Sequence, residues 1–291
     1  QRVYNLLTYG RGSDSEEVPA WATEEDLQFL ESFPARPTEE DVRRARRLCA
    51  LDAPKPWEII AITFTNKAAG EMKERLAQKL RMDIRDMWVG TFHSICCRIL
   101  RREIDKIGYD RNFVIFDTTD QKQVLRECLK ELDFNKENFP LKSVSYTISK
   151  AKNIDLTPEL FLKEYANDYQ MKKYGMIYEL YQKKLKSYNA VDFDDLLMLT
   201  VKLLKESPEA LEYYSNKFKY ILVDEYQDTN ALQDAIYFAL AAPDASHLVF
   251  VGDIKQSIYR FRQADPSVFV GKQTAWQPYP ADAPVPYPEP A

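Results

Sequence analysis

Asp224 and Glu225 stand side by side at the end of an apolar run, in the stretch YILVDEYQDTN (220–230). An apolar, β-branched run closed by adjacent acids reads as a buried strand that delivers two carboxylates to its C-terminal end. In open α/β sheets, ligands bind at that end. A carboxylate pair there suits Mg²⁺, which takes one or two carboxylates and completes its shell with water and substrate phosphates. The plainer alternative is a strand that runs out into a solvated acidic turn. Two acids alone do not separate these readings.

Three further polar tails follow strand-like runs. Thr65-Asn66-Lys67 follows IIAITF (59–64), Thr91-Phe92-His93 follows the run 87–90, and Gly252-Asp253 with Lys255-Gln256 follows the run 248–251. If the strands share a sheet, the four tails share an edge. An edge carrying acids, amides and hydroxyls can hold phosphate and Mg²⁺.

The elements that must position these residues follow from periodicity. Strand, polar turn and helix occur twice in succession over 59–106, with helices expected at 67–80 and 94–106. That is the pattern of a parallel sheet with crossover helices. From residue 117 the pattern turns helical, with segments at 120–132, 156–165 and 169–188 rich in Lys, Glu and Tyr. This stretch reads as a helical subdomain inserted into the sheet domain. The segment DFDDLLMLTVKLL (192–204) begins the return, and the sheet resumes at 220 and again at 248. The fold class expected is therefore α/β.

Toward the N-terminus, VYNLLTY (3–9) reads as a short strand followed by the loop Gly10-Arg11-Gly12-Ser13. Thr23 and Thr38 are placed to cap two helices, each with acids in its first turn. Arg43, Arg44, Arg46 and Arg47 on the second could touch phosphates, but a solvated helix face is the preferred reading. The proline-rich segment PYPADAPVPYPEPA (278–291) cannot continue a helix or donate to a sheet ladder, and reads as an extended tail.

Composition sets outer bounds. The chain has 291 residues, 45% hydrophobic and 29% charged, with a formal net charge of -5. No global basic field announces a nucleic-acid partner, so any such binding needs a local groove. Cys49, Cys96, Cys97 and Cys128 lack metal-ligand spacing and read as reduced, buried thiols. No apolar run reaches membrane-spanning length and no signal-peptide pattern opens the chain. A cytoplasmic location is expected, beside the nucleoid if DNA is the partner.

Taken together, the strings resemble the first ATP-binding domain of superfamily 1 DNA helicases of the UvrD, PcrA and Rep type. AITFTNKAAGEMKERL is similar to motif Ia of that family and VGTFHSICCRILRR to motif Ib. VDFDDLL resembles the segment leading out of its inserted helical subdomain. ILVDEYQDTNALQ is similar to motif II, the Walker B element, and VFVGDIKQSIYRFRQADPSVF to motif III, with a leaning toward the AddA and RecB style of helicase–nuclease subunit. The resemblance runs from about 57 to 269.

The resemblance implies a RecA-like parallel sheet of the P-loop NTPase type. It would be divided as 1–116, with 1–56 divergent, and 192–271, around a helical subdomain at 117–191 and ahead of a tail at 272–291. It implies an ATP-dependent DNA helicase of 3′-to-5′ polarity, with roles in repair or recombination. Asp224 would hold Mg²⁺, Glu225 would orient or deprotonate the water that attacks the γ-phosphate, and Gln256 would sense that phosphate. Phe64, Thr65, Asn66, Thr91, His93, Tyr259, Phe261 and Arg262 match positions that contact single-stranded DNA or a single-strand/double-strand junction. Aromatic faces there stack on bases without regard to sequence. For Phe64 and Phe261 core packing is the plainer alternative, and for His93 an ordinary core histidine.

Two departures qualify the resemblance. A Walker A loop needs glycines that let backbone N–H groups wrap phosphates, then Lys and Ser or Thr. No GxxxxGK[ST] is present. The nearest segment is Gly10-Arg11-Gly12-Ser13-Asp14-Ser15-Glu16, in which Gly10, Gly12 and Ser13 fit while Ser15 and Glu16 replace the lysine and threonine. A decayed Walker A loop and a chance Gly-Ser loop both remain open. The chain also ends after motif III, so a second RecA-like domain or a helicase–nuclease partner is expected to complete the machine. The chain alone is expected not to unwind DNA. The alternative is an ATPase-dead DNA-binding or adaptor module.

Overall fold

The computed structural model describes residues 1–13, 15, 17–80, 84–241, 248–253, 255 and 266–275. Its N-terminal part contains α1 (Arg2–Tyr9), α2 (Glu24–Glu31) and α3 (Glu39–Leu48). The sheet begins with β1 (Ile59–Thr63), followed by α4 (Asn66–Leu80), β2 (Trp88–Thr91) and α5 (Phe92–Glu103). The inserted region runs from β3 (Val114–Ile115) through α6 (Thr118–Glu131), α7 (Leu141–Asn153), α8 (Pro158–Glu164) and α9 (Tyr169–Ser187) to β4 (Ala190–Val191). The chain then returns through α10 (Asp195–Glu206), α11 (Pro208–Lys217), β5 (Tyr220–Val223), α12 (Ala231–Leu240), β6 (Leu248–Phe250) and α13 (Pro266–Ala275).

The main sheet has the order β2-β1-β5-β6, with every pair parallel. All five residues of β1 are buried, as expected of a central parallel strand covered on both faces. Alternate side chains enter different cores. Ile60, Ile62, Trp88, Ile221 and Val223 face α5, α10 and α12. Ile59, Ala61, Val89 and Leu222 face the other way, against Leu76 of α4 and Val3 and Leu6 of α1. The α/β fold class is thus as expected, with all four strand-like runs in one parallel sheet.

The helices α6, α7 and α9 close around a separate core that includes Leu125, Leu129, Val144, Ile148, Ile177 and Tyr178. Where the inserted region leaves and rejoins the sheet domain, β3 and β4 pair in parallel. Asn189 reinforces this neck. It accepts from the Asp110 backbone N–H at 2.9 Å and donates to Asn112 Oδ1 at 3.2 Å. The helices α7, α10, α11, α12 and α13 and the short β3/β4 pair were not named from sequence.

The expected strand over 3–9 is a helix. Val3 and Leu6 lie on one face three residues apart and are buried against the sheet, a helical spacing that outweighs the β-branched and aromatic content. Gly10 ends the helix at φ 58° and ψ -129°, a backbone conformation open to glycine. The caps at Thr23 and Thr38 form as expected, each reciprocated by an aspartate. Two of the α3 arginines do more than face solvent. Arg44 pairs with Asp26 at 2.6 Å and lies over the Phe29 ring, and Arg47 lies over Trp21. Cys96 and Cys128 are buried, and burial pushes each thiol up to about 12, whereas Cys49 is exposed, contrary to expectation.

Candidate nucleotide and single-strand site

Strands β1, β2 and β5 end at the same edge, and their polar tails line one cleft of about 710 Å³. Phe64, Thr65 and Asn66 come from the β1 end, Thr91 and His93 from the β2 end, and Asp224 and Glu225 from the β5 end. Parallel pairing dictates the convergence, because every strand in such a sheet points its C-terminus the same way.

Each tail is fixed locally. Thr65 caps α4, its hydroxyl accepting from the Ala68 N–H at 3.2 Å. Ser94 donates to the Thr91 carbonyl at 2.7 Å, and its hydroxyl sits so close to Gly90 that a Cβ there would lie 2.4 Å from it. Asp224 extends the ladder by donating its N–H to Ile62 O at 2.9 Å. Glu225 then turns the chain with φ 57°, a left-handed conformation that costs a non-glycine residue about 1–2 kcal/mol. The following turn, Tyr226–Asp228, is buried.

The fourth tail joins this turn rather than the cleft wall. Gln227 Oε1 accepts from the Asp253 N–H at 3.0 Å, and Gly252 leaves room for that contact. Gln256, Tyr259, Phe261 and Arg262 lie outside the described residues.

The cleft is acidic. Asp194, Asp224, Glu225 and Asp228 line it, and among the described lining residues there is no lysine or arginine. Burial, then the charges of Asp224 and Asp228, raise the Glu225 carboxyl above its ordinary range, offset in part by the Phe64 backbone N–H. A phosphate approaching this edge needs an intervening cation. The donor set fits Mg²⁺ that keeps water and phosphate among its ligands, with Asp224 exposed at the rim and able to contribute.

The phosphate cradle does not fit. Gly10 and Gly12 are not in the cleft. They pack against the segment before β1, where an added Cβ would fall 2.0 Å from Leu51 O at Gly10 and 1.9 Å from Cys49 O at Gly12. Arg11 between them binds Asp52 at 2.9 Å. The glycines serve close backbone contact, and the segment follows a helix rather than a strand. The structure thus favours a chance Gly-Ser loop over a decayed Walker A loop, and Gly10, Gly12 and Ser13 do not line the cleft.

The other wall of the cleft was not assigned from sequence. Phe193 and Asp194 reach it from the end of the inserted region, together with Ser149 and Asn153 of α7. Phe193 stacks on His93, with 53% of its own surface still exposed. Burial holds the His93 imidazole down to about 4, so it is neutral near pH 7.

The aim of Phe193 and Asp194 is set by their neighbours. Asp192 and Asp195 exchange backbone-to-carboxylate bonds of 3.0 and 2.9 Å, and both bind the fully buried Lys152, at 2.6 and 2.7 Å. Tyr181 donates to Asp192 at 3.0 Å. Burial alone would discharge Lys152, but the two carboxylates outweigh it and hold it charged. The only sequence signal for this wall was an aromatic residue set among acids in VDFDD.

Residues 42–277 match the UvrD/REP helicase N-terminal domain. The ATP-dependent DNA helicase PcrA of Bacillus subtilis is 51% identical over 210 residues, covering 72% of this chain and 28% of that protein. The proteins of the same name from Staphylococcus epidermidis and Staphylococcus aureus are 48% and 47% identical over the same shares. The chain thus spans 28% of the length of these relatives.

Proposed function

The chain belongs to the UvrD/REP helicase N-terminal domain family, and on that premise we propose that it acts as the first RecA-like domain of a 3′-to-5′ DNA helicase. The observation that carries this is the single cleft in which Asp224 and Glu225 meet Thr65, Asn66, Thr91 and His93. Single-stranded DNA, or the strand at a single/double junction, lies along Phe64, Thr91, His93 and Phe193. By the family resemblance, Tyr259, Phe261 and Arg262 would extend the track. The stacked His93–Phe193 pair supports this, because a neutral, half-exposed aromatic platform receives bases of any sequence.

Asp224 would hold Mg²⁺, which would screen the acids from a nucleotide phosphate. Glu225 would take the proton of the attacking water once a phosphate cradle is supplied, a task its raised pKa suits. By the family resemblance, Gln256 would contact the terminal phosphate. A second RecA-like domain or a helicase–nuclease subunit would complete the ATP site. The site of action is DNA in the cytoplasm, in repair or recombination. No described helix is long and apolar enough to cross a membrane.

The test is equilibrium binding of the full chain to a fluorescein-labelled oligothymidylate and to a duplex of equal length. Preferential binding of the single strand is expected. Absence of binding to either at low salt would sink the proposal.

A further inference from the structure

Asn153, the last residue of α7, is buried between the two halves of the cleft. Its side-chain amide donates to Ser149 O and to Asp194 Oδ1, each at 2.9 Å. Its Oδ1 accepts from Asn230 Nδ2 at 2.9 Å. Asn230 in turn caps α12. Its Oδ1 accepts from the Gln233 N–H at 2.9 Å, and its own N–H is bound by Gln233 Oε1 at 3.1 Å.

The polarity of this chain is fixed at both ends by backbone. The Ser149 carbonyl can only accept, so the Asn153 NH₂ must point toward it. The Gln233 N–H can only donate, so the Asn230 oxygen must point toward it. Neither amide can flip without losing a bond, and a buried polar group left unpaired costs about 1–3 kcal/mol.

The two ends of the relay sit on different functional walls. Asp194 follows Phe193 directly, on the wall proposed to receive a DNA base. Asn230 follows the turn Tyr226–Asp228, which begins at Glu225. We propose that Asn153 is a positioning residue that transmits occupation of the His93–Phe193 platform to the segment carrying Asp224 and Glu225. A base stacked on Phe193 fixes Asp194, Asp194 holds the Asn153 amide, and Asn153 holds the N-cap that ends the Glu225 turn. The inference rests on the single-strand reading given above.

The test is hydrogen–deuterium exchange of the full chain with and without saturating oligothymidylate. In the parent, the strand is expected to slow amides of 225–234 by about fivefold or more, the lower end of ordinary coupling between sites. Two variants cut the relay. Asn153→Ala removes its centre. Asn230→Ser keeps an N-cap oxygen but is too short to reach Asn153, which covers the case in which Asn153→Ala fails to fold. At strand concentrations that saturate each variant, exchange near 91–93 should still slow while 225–234 no longer responds. A merely structural role would not separate the two segments in this way. Equal slowing of 225–234 in parent and variants overturns the inference, as does a parent in which only 91–93 responds. A parent in which no strand binds overturns the functional reading and the inference with it.

Discussion

The imidazole of His93 lies flat against the ring of Phe193, with centroids 3.9 Å apart and planes 20° from parallel. One ring belongs to the start of α5 and the other to the return from the inserted region, so the platform exists only when both are in place. Phe193→Ala is expected to weaken oligothymidylate binding by about 1–3 kcal/mol, roughly 5- to 150-fold, the range for one stacked base. Tyr259→Ala combined with Arg262→Ala should weaken it further and reduce its salt dependence. Anisotropy titrations at two salt concentrations check both. Affinity unchanged in either variant would remove those residues from the track.

Hydrolysis of ATP by this chain alone is expected to stay at background with or without DNA, because the described cleft has acids but no lysine to meet the phosphates. A robust turnover lost in Glu225→Gln would overturn this expectation.

The same Glu225→Gln variant should be more stable than the parent at neutral pH. The folded state raises the Glu225 carboxyl, first by burial and then through Asp224 and Asp228, so it prefers the neutral form. Ionising Glu225 above its unfolded pKa therefore costs stability, and glutamine avoids that cost. The advantage should vanish at acid pH, where the carboxyl is protonated in both states. Thermal midpoints at the two pH values decide it; a lower midpoint for the variant at neutral pH would be contrary.

His93 gives the opposite slope. Its pKa is held at about 4 by burial, below the ordinary 6.5, so the unfolded chain binds the extra proton between those values. Stability from this group is complete above about 6.5 and is lost as pH falls toward 4, on the order of 3 kcal/mol in all. Denaturant unfolding of parent and His93→Gln across that window should show a difference that shrinks on acidification. A constant difference would show that the imidazole titrates normally.

Lys152 is the residue whose loss should be felt most. Lys152→Met leaves Asp192 and Asp195 buried without their cation, and removing one partner of a buried pair costs about 3–5 kcal/mol. Adding Asp192→Asn and Asp195→Asn should recover part of that loss, since the uncompensated charges go too. Urea midpoints of the three proteins measure this, and a loss below about 1 kcal/mol for Lys152→Met would show the triad to be solvated.

The sheet could be read from sequence because its signals are local. An apolar run, a polar tail and a capped helix sit together in IIAITFTN and again in YILVDEYQDTN. The Asp224–Glu225 edge was legible for the same reason. Misreadings arose where local composition and tertiary context disagree. VYNLLTY carries strand-favouring residue types, yet its burial follows helical spacing. LKSVSYTISKAKN, the sequence of α7, hides Val144, Ile148 and Ala151 at helical spacing among hydroxyl residues. The Phe193 wall was illegible for another reason. What aims it is Lys152, 40 residues before Asp192, and nothing in the spacing of either announces the pair.

The neck at Asn189 bears on how the chain reaches this structure. Ile62 of β1 lies beside Val223 of β5, so the central strand pair can form only after the whole inserted region has been gathered into one loop. Long loops make such pairings slow, since their closure entropy is lost before the contacts form. The β3/β4 pair and the Asn189 clasp bring the ends of the inserted helices together locally. Once that clasp closes, the polymer between β1 and β5 is shortened to its two flanks, and the last large search in assembling the sheet becomes a short one. The expected order of assembly is therefore from the inside out: the inserted helices first, then the central strands, and with them the edge where the carboxylates meet the platform.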